Sequence, residues 1–155
     1  MAEVAAGFAG FTAILLAVFS RETPLQAMRV GIVHFLQLSL GVVLIALLPS
    51  VLSSMAYAED AIWRIANAVQ GFYHYYILWW ILSRRGTSLG HSKMGGALTA
   101  VLGIIGLSIA SLNVCAAAGF FPDLLVFAFL FGLLWYLAMA LVNFVYILLY
   151  RLDLQ

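Results

Sequence analysis

Between Asp123 and Arg151 the chain carries no charged side chain. That run, residues 124–150, exceeds the roughly 20 apolar residues an α-helix needs to cross the hydrocarbon core of a bilayer. Lipid offers no hydrogen bonds to a backbone, so such a run must satisfy its own N–H and C=O groups, as a helix does. Runs of similar character cover residues 4–19, 25–49, 61–82 and 95–118. The pattern predicts an all-α fold, a polytopic transmembrane helix bundle of five spans forming one domain over residues 1–155. Four spans plus a short first helix is the alternative, because the first run is short and Glu3 stands at its start. Punctuation supports the division: Arg21, Glu22 and Pro24 close the first run, and Pro49 with Ser50, Ser53 and Ser54 closes the second. The basic, Gly-containing segment from Arg84 to Lys93 separates the third run from the fourth, and Gly119, Pro122 and Asp123 make the last turn.

Composition excludes a water-soluble domain. Of 155 residues, 66% are hydrophobic and 8% charged, against about half and about a quarter in soluble domains. Mean hydropathy is +1.12. A net charge of +1 leaves no basic surface for nucleic acid, and a single cysteine, Cys115, excludes both a disulfide framework and a cysteine-based metal site.

Charge orients the spans. Five crossings put Arg21, Arg29, Arg84, Arg85, Lys93 and Arg151 on one side. Glu3, Glu59, Asp60 and Asp123 fall on the other, with Arg64 as the lone cation. Basic loops stay in the cytoplasm, so the N-terminus is expected outside and the C-terminus inside. Tyr57, Trp63, Trp79, Trp80 and Tyr150 stand near span ends, as interfacial aromatic residues do. The loops are too short to hold an enzyme domain. No nucleophile–base pair or carboxylate dyad shares a face, so no catalytic residue is assigned and the chain is expected not to be an enzyme.

The third span carries the strongest polar signal. Asp60, Arg64, Asn67, Gly71 and His74 recur at three- and four-residue steps, with Gln70 beside them. Such a stripe must face other helices or water, never lipid. It reads either as hydrogen-bonded glue, with Asp60 and Arg64 as an i,i+4 pair, or as a hydrated path. Gln37 on the second span and Glu3 at the mouth of the first are candidates for the same path. Small residues line two other helices: Gly7 and Gly10 on the first, and Gly103 and Gly106 on the fourth, where close helix packing is expected. His34 and His74 lie at similar depth, roughly 12 Å at about 1.5 Å per residue, so a b-type haem clasped between them is a further alternative. Neither sits in a haem or metal motif and no third ligand is near, so no metal or other cofactor is assigned.

The opening segment from Ala2 to Ile14, AEVAAGFAGFTAI, resembles the start of a group of small uncharacterised bacterial multi-span membrane proteins. The similarity continues through a basic loop, Arg29 opening the second span, Pro49 closing it and Trp63 before the third, so it covers the first half of the chain. It implies a bacterial inner membrane, and that Glu3 and its small-residue face are features of the group. It implies no functional residues.

Taken together, the residues predict a homo-oligomeric, channel-like or transport-type protein that passes an ion or small polar solute, with the lipid bilayer as its surroundings. A membrane anchor or scaffold that binds a partner through its basic loops is the runner-up, and the haem-bearing electron-transfer subunit is the third.

Overall fold

The computed structural model describes residues 26–83 and 93–152, together with Gly7 and Gly10. These residues form four long helices and no strand: α1 (Gln26–Ser54), α2 (Glu59–Ser83), α3 (Lys93–Ala117) and α4 (Leu125–Leu152). A single 3-10 turn, Pro122–Leu124, leads into α4. The all-helical expectation therefore holds. Three stretches are long and apolar enough to cross a membrane: Phe35–Ser54, Ala100–Ala117 and Pro122–Val145.

Five spans are not supported. The first expected span, 4–19, lies outside the described residues except for Gly7 and Gly10, which are helical and exposed. The third is a helix of sufficient length, the 25 residues of α2. It is not among the apolar helices, because Asn67, Gln70 and His74 interrupt its hydrophobic sequence.

Pro49 was expected to end the second span, but α1 runs through it to Ser54. Proline fixes φ near the helical value, so the chain can continue. What it removes is one N–H, the donor that would have bonded the Ile45 carbonyl. The helix ends instead at Ala56, which adopts φ 58°. There the Ala56 N–H donates to Ser53 O at 3.1 Å and the Tyr57 N–H to Leu52 O at 3.5 Å. This pair of bonds is a Schellman motif, whose left-handed position normally belongs to glycine.

The same motif ends α3 with its usual residue. Gly119 has φ 91°; its N–H donates to Ala116 O at 2.9 Å and the Phe120 N–H to Cys115 O at 3.1 Å. At the start of α2, Glu59 and Asp60 place negative charge in the first turn, where the helix dipole favours it.

The chain divides into two compact units, Met1–Leu44 with Trp135–Gln155, and Ile45–Leu134. In the first, Phe35 lies 6.2 Å from Phe144 between ring centroids, and Phe35, Leu38, Val42, Tyr136 and Ala140 are buried. In the second, α2 and α3 run antiparallel: Gly71 meets Ala110 and Val114, while Arg64 meets Gly119. Ala116, Leu125 and Ala128 form a small core there, covered by Trp63 and Leu112. Trp63 also meets Phe129 edge-on at 5.6 Å.

Candidate functional site: a buried amide seam

Helix α2 buries Ile62, Ala66, Asn67, Gln70, Gly71, His74, Ile77 and Trp80. Steps of three and four residues put these on one face of a 3.6-residue helix. Phe72, Tyr76 and Trp79 are exposed, Phe72 by 65% and Trp79 by 64%. A helix on the surface of a water-soluble protein does the reverse, hiding its aromatic residues and showing its amides to solvent. The pattern extends to α4, where Phe127, Phe131, Leu134 and Val145 are exposed, and Phe127 stacks on Phe131 at 5.7 Å.

Polar groups on the buried face are tied into the second unit. Asn67 Nδ2 donates to Trp63 O, one turn back on α2, and to Leu125 O at the start of α4, each at 2.8 Å. Both amide hydrogens are thereby used, and α2 is fixed to α4. On α3, Asn113 Nδ2 donates to Ile109 O at 3.0 Å. Asn67 and Asn113 are wholly buried, yet Oδ1 of each has no hydrogen-bond partner among the described residues. The Tyr75 and Ser111 hydroxyls hydrogen-bond at 3.0 Å between α2 and α3.

Two glycines let this seam close. A Cβ at Gly132 on α4 would stand 2.6 Å from Gln70 Nε2 and 2.9 Å from Asn113 Nδ2. Amides from α2 and α3 therefore meet over bare α4 backbone. A Cβ at Gly71 would stand 2.7 Å from Val114 Cγ2 and 3.1 Å from Ala110 O. Here the backbones of α2 and α3 approach as closely as small residues permit.

Arg64 lies at the outer edge of the seam. Its Nε donates to Asp60 Oδ2 at 2.7 Å, the expected i,i+4 pair, with the two side chains 40% and 60% exposed. Its guanidinium reaches the Gly119 turn, where Nη1 would be 2.8 Å from a Cβ. A cation here faces the negative end of the α3 dipole.

The structure thus brings Asp60 and Arg64 together at one end of α2 and buries Asn67, Gln70, Gly71 and His74 further along it. Gln37 is half-buried and belongs to the other unit. Glu3 and the side chain of His34 lie outside the described residues. Among the described residues no neighbour stands within 4 Å of a Cβ built at Gly7, Gly10 or Gly103, whereas Gly106 is buried. Among the described residues no three His, Cys, Asp or Glu side chains gather as a metal site would require.

Sequence reasoning did not single out Asn113 or Gly132. Their signal was a lone amide and a lone glycine within apolar runs, each needing a partner helix to explain it. Ser108, Ser111 and Asn143 also bond carbonyls of their own helix: Ser108 to Ile104 O, Ser111 to Leu107 O and Asn143 to Met139 O, at 2.9–3.0 Å.

No family model, no curated protein and no solved structure matches the chain. Among the described residues, fold and site define an all-helical arrangement with three stretches apolar enough to cross a membrane and a seam of buried amides where α2 meets α3 and α4.

Proposed function

We propose that the protein is a small, homo-oligomeric integral membrane protein of transport type, residing in the bacterial inner membrane with its C-terminus in the cytoplasm. Helix α2 is then a crossing helix alongside α1, α3 and α4. Its inside-out arrangement is the observation that supports this reading: Asn67, Gln70 and His74 turn inward while Phe72, Tyr76 and Trp79 turn outward. Lipid accepts the aromatic face and rejects the amides, and polar groups held at membrane depth are costly enough that function is the usual reason for keeping them. The polar path would run along α2 from the Asp60–Arg64 pair.

Flux into liposomes tests it. Purified protein reconstituted around an entrapped pH- or potassium-sensitive dye should pass ions faster than empty vesicles. Asn67→Leu should slow that flux while the protein keeps its helical circular dichroism. A folded wild-type protein that passes neither protons nor potassium would sink the transport reading.

One observation favours a scaffold instead. Asn67, Gln70 and Asn113 are wholly buried, and Gly71 and Gly132 draw the helices together over them, as glue requires. A scaffold would co-purify a partner held by the basic loop at Arg84, Arg85 and Lys93, and would conduct nothing.

A further inference from the structure

We infer that the amide seam of the second unit is a binding site for water, with Asn67 Oδ1 and Asn113 Oδ1 as its acceptors. The inference concerns the seam itself and holds whether or not the protein transports anything.

Amide orientation comes first. Asn67 spends both Nδ2 hydrogens on carbonyl oxygens, Trp63 O and Leu125 O. Asn113 spends one on Ile109 O. Rotating either amide by half a turn would set its oxygen against those carbonyls, acceptor against acceptor. Each Oδ1 is therefore committed as an acceptor. Both atoms are buried in residues with no solvent exposure, and no protein donor reaches them among the described residues. Buried acceptors in native proteins are almost always satisfied, by protein or by ordered water. Whatever binds here must donate.

Charge narrows the choice to a neutral donor. The described acidic side chains, Glu59, Asp60 and Asp123, are all exposed, so among the described residues no carboxylate accompanies the seam. The donor ends of Gln70 and Asn113 already converge at Gly132. A cation would be buried beside positive amide ends with no counter-charge, an arrangement too costly to persist. Size narrows it further, because residues this enclosed leave no opening for a bulky alcohol or amine. Water is the smallest neutral donor, and folded proteins hold on the order of one buried water per 27 residues, each making about three hydrogen bonds.

Water-edited solid-state NMR of the full chain in lipid bilayers reads this directly. The side-chain amide signals of Asn67 and Asn113 should receive magnetisation from water nearly as fast as the exposed Arg64 guanidinium does. They should be several-fold faster than the exposed apolar residues Val69 and Leu130. Build-up as slow as that of Val69 and Leu130 would show a dry seam and overturn the inference. A second arm exchanges sodium for potassium and for choline. Unchanged Asn67 and Asn113 shifts support water, whereas shifts that follow the cation would identify an ion site and overturn it. Hydration without any flux in liposomes would leave this site standing while removing the transport reading.

Discussion

Replacing Gly71 by alanine sets two opposed effects against each other, and their sizes follow from the structure. Alanine is the better helix former by about 1 kcal/mol. The added Cβ, however, would lie 2.7 Å from Val114 Cγ2, 3.1 Å from Ala110 O and 3.3 Å from Val114 N. Carbon atoms in contact prefer about 3.5–4.0 Å, so α2 and α3 must separate or Val114 must turn. Valine in a helix has one strongly preferred rotamer, and the other two contacts are backbone. Overpacking of this kind costs about 1–3 kcal/mol. With little room to relax, its upper range applies, leaving Gly71→Ala net destabilised by about 1–2 kcal/mol. Gly103→Ala is the internal control, because among the described residues no atom stands within 4 Å of its Cβ. Only propensity acts there, and stability should rise by about 0.5–1 kcal/mol. Both are read from unfolding midpoints in mixed detergent micelles, followed by circular dichroism. The same substitution should move the midpoint in opposite directions at the two sites. A Gly71→Ala protein as stable as Gly103→Ala would refute the close approach of α2 and α3. A destabilised Gly103→Ala would mean that this glycine packs against something beyond the described residues, from this chain or from a second copy.

Three further outcomes follow. Ala56 occupies the left-handed position at the end of α1 with φ 58°, so Ala56→Gly should stabilise by about 1 kcal/mol, whereas Gly119→Ala, at φ 91° and against Arg64, should cost at least that much; equal midpoints for the two variants would contradict both turns. Asn67→Ala removes the bonds to Trp63 O and Leu125 O and should cost about 1–3 kcal/mol, while Asp60→Asn, which breaks only the largely exposed pair with Arg64, should shift the midpoint by less than about 1 kcal/mol; the reverse order would move the anchor of α2 from the seam to the ion pair. A reporter fused after Gln155 should read cytoplasmic, following the basic residues Arg84, Arg85, Lys93 and Arg151, and a periplasmic signal would invert the proposed topology.

Much of the helical architecture was legible in residue order. Charges and turn residues separate the apolar runs, and helices α2, α3 and α4 begin and end within two residues of the expected 61–82, 95–118 and 124–150. Local chemistry suffices for this, because an apolar run must hydrogen-bond its own backbone and a charged or glycine-rich segment interrupts it. The inward stripe of α2 was legible for the same reason: Asn67, Gln70 and His74 share a face by helical spacing alone.

Pro49 shows where local chemistry ends. It reads as a stop, but proline forbids one hydrogen bond rather than the helical φ, and the actual stop is a left-handed alanine that no sequence rule marks. Glycines show it again. In sequence, Gly7, Gly10, Gly103, Gly71 and Gly132 are alike, each a residue without a Cβ. Only the tertiary structure distinguishes Gly71 and Gly132, which lie against Val114 and against the Gln70 and Asn113 amides, from Gly7, Gly10 and Gly103, which meet nothing within 4 Å among the described residues. Periodicity fixes the direction in which a side chain points from its own helix axis. It carries no information on which helix stands opposite or at what height, and those two quantities decide that Asn67 reaches Leu125 O, 58 residues further along the chain.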